Sequence, residues 1–420
     1  MKCEYGDLCR RKNLNHFYTD THPEKILIDR FWQGITGVYE NIMLDSVFKV
    51  HGCLPEHAYI FTYQAETEFL KKIFKSFDGE FDVDLVVDRN VNDVLELETG
   101  LKNLFKTGSS SRIKIHTPKS TSFSSHHPKL FLFKCKDFWY FAVSTANLVW
   151  YHWGNADHIP YTNLTWISPR FYEKVNVSSS MEAENASKTD LLNFLAAYDL
   201  RVTKTLSKHL VSLDFSSLES SIQFIHNSPQ SFSWNSDSLK NSFKQNSENT
   251  ENLENSGNLE NPENHSQSST KIAPTEHILL SSVSSIQTIS QPFIKKLLAT
   301  TNTQQLMIQW PTEQFIQKIG LERNFVHCFG KKASIDKLLE NKQLYHYSLS
   351  KKLPHLKVYI RLNKSVQKIT HLVLTSQNLH GSSKNYEFGV VISNFSAESA
   401  PTMNFMPRRY AVKHDKPFCR

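Results

Sequence analysis

Two stretches of the chain share one frame, and a fold must accommodate both copies. The first is SSHHPKLFLFKCKDFWYFAVSTANL (124–148); the second is LPHLKVYIRLNKSVQKITHLVLTSQNL (353–379). Each has a His, one residue and a Lys before a β-rich run, then a turn, a second run and an Asn-Leu. The residues are His127, Lys129 and Asn147 in the first, and His355, Lys357 and Asn378 in the second. Seventeen residues separate Lys129 from Asn147, and twenty separate Lys357 from Asn378. Residues two apart on a strand share a face, so each His projects with its Lys. A hairpin return brings the Asn back to the same strand end. An imidazole, an ammonium and a carboxamide converging on one point suit a phosphoryl centre. Two copies supply one imidazole to attack and one to protonate a leaving group. A third His-x-Lys, His414 and Lys416, has no strand and no Asn after it and is set aside.

The copies fall in separate halves. The stretch NSENTENLENSGNLENPEN (246–264) carries Asn at every third position, a composition that cannot bury enough apolar surface to offset its ordering entropy. Residues 233–270 are expected to be a disordered insertion between a first domain, 24–232, and a second, 271–420. A length of 420 suits more than one folding unit. Each half mixes strand and helix signals. FDVDLVVD (81–88), LFLF (130–133) and FWYFAV (138–143) read as strands. TEFLKKIFKSF (67–77) has helical apolar spacing at Phe69, Ile73 and Phe77, and TDLLNFLAAY (189–198) reads as a helix starting near Thr189. LMIQW (306–310), KVYIRL (357–362), HLVLTS (371–376) and FGVVIS (388–393) read as strands, and ASIDKLLENK (333–342) as a helix. The expectation is an α/β protein of two domains.

The formal charge of +7 is unevenly placed. The 233–270 stretch holds two lysines against six acidic residues, so the rest is more basic than the total implies. A basic folded part suits a polyanion such as nucleic acid, or simply a soluble basic protein. No uncharged apolar run of about 18 residues occurs, and no signal-peptide core opens the chain. The six cysteines are few and scattered beyond the first pair, which argues for a reducing compartment and against a disulfide framework.

The paired His-x-Lys…Asn frame resembles the phospholipase D superfamily, and within it the tyrosyl-DNA phosphodiesterases. The superfamily's commoner motif has an Asp five residues after the Lys; here Lys134 and Leu362 stand there, as in that branch. SSHHPK, NLVWYHW (147–153), WISP (166–169), YEFGVVIS (386–393) and LLSSVSSI (279–286) are also similar to it. The resemblance spans roughly residues 30–420. It implies two pseudo-symmetric α-β-α domains sharing one active site. It also implies metal-independent hydrolysis of 3′-phosphotyrosyl and other blocked 3′ DNA ends, single- or double-stranded, through a covalent phosphohistidine. By the same resemblance His127 matches the nucleophile, and His355 the general acid that then activates water. Lys129, Lys357, Asn147 and Asn378 match groups holding the phosphate oxygens. Glu387 matches the acidic residue orienting the second-half site. Phe123 matches an aromatic stacking on a DNA base, and Ser282 and Ser285 match serines on the DNA backbone. His158 stands where the branch has Gln or Glu, and His380 where it has a small residue. HDKPFCR (414–420) resembles the start of a longer family ending. The alternatives are another phospholipase D-like nuclease or lipid phosphodiesterase, or an inactive poly(ADP-ribose)-binding adaptor.

The first 23 residues, MKCEYGDLCRRKNLNHFYTDTHP, hold Cys3, Cys9, His16 and His22. Two thiolates and two imidazoles suit tetrahedral Zn²⁺, and a segment this short needs metal to fold. The spacing, with Tyr5-Gly6, Arg11-Lys12-Asn13 and the final His-Pro, resembles the poly(ADP-ribose)-binding zinc finger. That implies Tyr5 and Arg11 as contacts to the polymer; Arg10 and Asp20 replace two aromatics of the family. The expected whole is a monomeric nuclear DNA-repair enzyme with structural zinc in the finger alone. Its partners are DNA ends bearing topoisomerase-derived peptides and poly(ADP-ribose), with no membrane.

Overall fold

The computed structural model describes residues 35, 37–75, 81–102, 112–119, 124–153, 161–174, 185–229, 240, 243, 276–318, 329–346, 353–363, 368–380, 385–393, 408–409 and 417. The expected zinc ligands Cys3, Cys9, His16 and His22, with Tyr5, Arg11, Phe123 and His158, lie outside the described residues.

The first half forms strands β1 (Val38–Glu40), β2 (His57–Thr62), β3 (Asp82–Val87), β4 (Ile113–His116), β5 (Leu130–Lys134), β6 (Trp139–Ser144), β7 (Tyr161–Thr162) and β8 (Leu164–Ile167). All but β7 join one sheet in the order β1-β8-β6-β5-β2-β3-β4. β2, β3 and β4 run parallel, and the β2–β5, β5–β6, β6–β8 and β8–β1 pairs are antiparallel. The strands read as near-continuous apolar runs because both faces are covered. Ile60, Leu85, Phe131 and Tyr140 face one core. It is covered by α1 (Leu44–Lys49), α2 (Thr67–Lys75) and α3 (Val94–Leu101). Phe69, Leu70, Ile73 and Phe74 are the buried stripe of α2, as the period of its apolar residues requires.

The second sheet follows α4 (Ala186–Ala196) and α5 (Arg201–Val211). It contains β9 (Ile222–Asn227), β10 (His277–Val283), β12 (Gln305–Trp310), β14 (Leu344–His346), β16 (Lys357–Asn363), β17 (Lys368–Thr375), β18 (Glu387–Ser393) and β19 (Arg408–Arg409). The order is β19-β14-β12-β10-β16-β17-β18-β9. β11 (Ser285–Ile286) pairs with β13 (Phe329–Gly330), and β15 (Leu353–Pro354) pairs with β7 of the first half. Helices α6 (Gln291–Thr300), α7 (Glu313–Lys318) and α8 (Lys332–Glu340) belong with a core of the second half holding Leu279, Ile308, Tyr359 and Val373.

The remaining core lies between the sheets. Phe61, Leu132, Phe141 and Trp166 of the first meet Leu280, Val358, Ile360 and Phe388 of the second, with Phe194 and Leu206 from α4 and α5. The halves therefore share one hydrophobic core rather than touching at polar surfaces.

Four details depart from the sequence reading. β9, which precedes the Asn-rich stretch, pairs with β18 and forms an edge of the second sheet; edge strands can be recruited across a domain boundary because pairing is long-range. α4 starts at Ala186, three residues before Thr189, because Asn185 caps it by accepting from the Ser187 and Lys188 amides. Within 233–270 only Lys240 and Phe243 are described, and Phe243 is not free of the fold: it is buried and stacks on His371, ring centroids 4.4 Å apart. Finally, Cys53 and Cys135 form a disulfide across 82 residues, against the expectation of none. The loop after α1 packs beside the end of β5, which brings the two Cα atoms to 6.5 Å.

Candidate active site

Both His-x-Lys frames occupy the same place in their sheets. His127 and Lys129 immediately precede β5, and Asn147 follows β6, its antiparallel neighbour. His355 precedes β16, Lys357 begins it, and Asn378 follows β17, again the antiparallel neighbour. The register confirms the likeness: Leu130 faces Val143, and Val358 faces Leu374. The hairpin return expected from the spacing is therefore present in both halves. Both lysines are fully buried.

Each histidine segment is anchored by the other half. The His127 amide donates to the Tyr386 carbonyl, and the Tyr386 amide to the Ser125 carbonyl. The segment before His355 is β15, paired with β7, with Leu353 opposite Tyr161 and Pro354 opposite Thr162. Neither frame is complete within its own half.

The side chains follow the same rule. His127 Nδ1 lies 2.9 Å from Glu387 Oε2. Glu387 begins β18 of the second sheet, so it serves the first-half histidine and not the second-half site that the resemblance assigned to it. The reason is topological: the start of β18 pairs with residues 125–127 across the shared core, a contact invisible in sequence distance. Ser376 Oγ donates to the same Glu387 oxygen, and Asn385 Nδ2 donates to Oε1 at 3.3 Å. Burial alone raises the Glu387 carboxyl, but His127, Lys129 and Ser376 overcome this and hold it below the usual range. A carboxylate facing Nδ1 accepts a hydrogen bond from the ring N–H there, which keeps the proton on Nδ1 and turns the Nε2 lone pair outward. Lys129 Nζ lies 3.4 Å from His127 Nε2 and donates to the His127 carbonyl at 2.9 Å. Burial pushes the His127 imidazole down to about 4, Glu387 pulling the other way and Lys129 adding to the push. Burial also lowers the Lys129 ammonium to about 7 against the pull of Glu387. Tyr63 closes the edge of the His127 ring, centroids 4.9 Å apart.

At the second histidine the anchor is neutral. His355 Nδ1 lies 2.9 Å from the Thr145 carbonyl, which is also 3.4 Å from Lys357 Nζ. Lys357 Nζ is 3.3 Å from His355 Nε2. Asn378 Oδ1 accepts from Ser284 Oγ at 3.1 Å, which leaves its NH₂ to donate toward a ligand. The Asn147 backbone donates to His152 Nδ1 at 3.0 Å.

The structure thus brings His127, Lys129, Asn147, His355, Lys357, Asn378 and Glu387 to one site between the sheets. The two serines fare differently. Ser282 is buried within β10, between Gln309 and Val358, and Ser285 lies in β11 with its hydroxyl accepting from Gln287 Nε2 at 3.2 Å. Ser284, between them, is the serine that touches an Asn of the frame. Thr145, Ser376, Ser284, Asn385 and His152 were all missed from sequence. Thr145 and Ser376 lie inside the STANL and TSQNL motifs, so the motifs themselves held that signal.

Paired His, Lys and Asn on duplicated α/β halves define a phosphodiesterase of the phospholipase D superfamily. The family model described as tyrosyl-DNA phosphodiesterase matches residues 39–414, and the chain belongs to that family of enzymes, which act in DNA repair. Its fold is similar to a crystal structure of the yeast tyrosyl-DNA phosphodiesterase, with a TM-score of 0.63, 18% identity, and coverage of 91% of this chain and 100% of that one. A histidine-to-alanine mutant of the yeast enzyme is similar at a TM-score of 0.60 and 16% identity, covering 91% of this chain and 99% of that one. No curated protein matches in sequence.

Proposed function

We propose that the chain hydrolyses 3′-phosphotyrosyl DNA ends in two displacements, with His127 as nucleophile and His355 as proton carrier. The observation that carries this assignment is the unequal bracing of the two rings: a carboxylate behind His127, a carbonyl behind His355. With its Nδ1–H donating to the Glu387 carboxylate, neutral His127 presents Nε2 to phosphorus. A P–N bond forms, the P–O bond to tyrosine breaks, and His355 gives its proton to the phenolate. Water then attacks phosphorus, loses a proton to His355, and the P–N bond breaks to leave a DNA 3′-phosphate. Lys129, Lys357, Asn147 and Asn378 hold the non-bridging oxygens, where donors count most as charge develops. The nucleophile and the proton carrier both come from the protein, so turnover should persist in chelator.

The test is cleavage of a 3′-phosphotyrosyl oligonucleotide in chelator. Wild type should cleave it, His127→Ala should not, and His355→Ala should retain DNA as a covalent adduct. Intact cleavage by His127→Ala would sink the assignment. Plain DNA and phospholipid, run alongside, decide against a general nuclease or lipid enzyme.

The same proposal extends to the N-terminus on its spacing. Cys3, Cys9, His16 and His22 would hold one structural Zn²⁺, and Tyr5 and Arg11 would contact poly(ADP-ribose) to bring a nuclear enzyme to DNA breaks. Cys3→Ser should lose the zinc and the polymer binding while cleavage in solution is unchanged.

A further inference from the structure

His152 belongs to neither His-x-Lys frame, yet it lies flat on His355. The ring centroids are 3.8 Å apart and the planes 29° apart. His152 is 1% exposed, in the short turn Trp150–His152 that follows Asn147.

Its own orientation is fixed. The Asn147 backbone N–H can only donate, so His152 Nδ1 is the acceptor of their 3.0 Å bond and the neutral ring carries its proton on Nε2. A second proton on His152 would set N–H against N–H. The Asn163 side chain donates to the His152 carbonyl, Trp153 Nε1 donates to the Asn147 carbonyl at 2.7 Å, and the Tyr151 ring packs edge-on, 4.7 Å away. The turn is thus closed onto Asn147 and offers His355 a rigid, uncharged ring.

His355 needs such a surface. The Thr145 carbonyl and Lys357 Nζ lie at its two nitrogens, and a contact at a nitrogen does little to resist tilting of the ring plane about the line through the two. A ring stacked on its face, centroids 3.8 Å apart, resists that tilt by contact. His127, by contrast, is set by a carboxylate.

We propose that His152 is a positioning residue for His355, its imidazole holding the His355 ring in the plane from which it exchanges protons with the leaving group and with water. The role in water activation rests on the two-displacement reading above, whereas the contact does not.

The test uses the full-length protein and His152→Asn, which keeps a hydrogen-bond acceptor near the position of Nδ1 but removes the ring. The contact is read by NMR of the His355 ring protons, which should move downfield when the ring current of His152 is lost; unmoved signals overturn the proposal. The role is read by rapid quench with thymidine 3′-(p-nitrophenyl phosphate), whose leaving group needs no proton. Adduct formation on His127 should change by less than about twofold, while adduct hydrolysis slows by about tenfold or more. His152→Phe, which restores a flat ring, should recover most of that loss. In a His355→Ala background, His152→Asn should add nothing, since residues acting through one group are not additive. Unchanged adduct hydrolysis in His152→Asn, or a full further loss in the His355→Ala background, overturns the proposal. No adduct in the wild type would instead overturn the reading of His127, and the ring signals would still decide whether His152 holds His355.

Discussion

At His127 the group behind Nδ1 is a carboxylate at 2.9 Å, and at His355 it is a backbone carbonyl at the same distance. The carboxylate can stabilise a positive imidazole and orient a nucleophile; the carbonyl orients a ring without holding its charge. Glu387→Gln should therefore slow adduct formation by on the order of 100-fold or more, measured by rapid quench with the phosphotyrosyl substrate; an unchanged rate would remove Glu387 from the mechanism. The pH profile has a definite sign. His127 must be neutral to attack, and burial sets it at about 4, so kcat/KM should fall as pH drops through about 4. Lys129 must be charged to hold phosphate and sits at about 7 in the free protein, so kcat/KM should fall again as pH rises through that value. kcat should lose less on the basic side, because a bound phosphate anion favours the ammonium. A basic limb equal in both parameters would count against Lys129 as the phosphate contact.

The strands that carry the frames were legible because both features are local: an apolar run and a motif at its end. What Glu387 braces was not, since it pairs with a segment 260 residues away. The same limit hid β9 in the second sheet, and the α4 start was missed because Asn185, not Thr189, supplies the cap. Two substitutions test these elements. A Cβ on Gly389 would lie 2.7 Å from Thr375 Cβ and 2.8 Å from the Leu374 carbonyl, so Gly389→Ala must push β18 away from β17. Since Glu387 is two residues along β18, activity should fall together with stability; full activity in this variant would show that the strand can move without displacing Glu387. Asn185→Ala should cost about 1 kcal/mol of stability in a denaturant melt and leave the chemistry alone, because α4 supplies no group to the site.

The whole molecule carries several imidazoles that folding keeps neutral. Burial depresses His126 to about 3, and His127 and His226 to about 4. Below the ordinary imidazole value of 6.5 the unfolded chain binds protons that the fold refuses, so stability must rise with pH across that window. The midpoint of thermal unfolding should therefore fall steadily from pH 7 toward pH 4; a flat midpoint would mean the rings are not held neutral. Below that range Asp84 contributes too. Burial raises its carboxyl, but hydrogen bonds from His116 and His57 more than reverse this and hold it low, so its stabilisation is present above the ordinary carboxylate range and lost as acid protonates it. Composition gave no warning of these effects: it counts histidines without showing which of them a fold will bury.

The core between the sheets has a consequence for cutting the chain. Because Phe61, Phe141 and Trp166 pack with Val358, Ile360 and Phe388, covalent continuity is not what keeps the two histidines together. A protease site placed within 246–264 should, once cleaved, give two fragments that co-elute and still turn over substrate, whereas neither fragment expressed alone should act. The protein would then behave as a heterodimer written on one gene, with the Asn-rich stretch serving only to keep the concentrations of its two members equal.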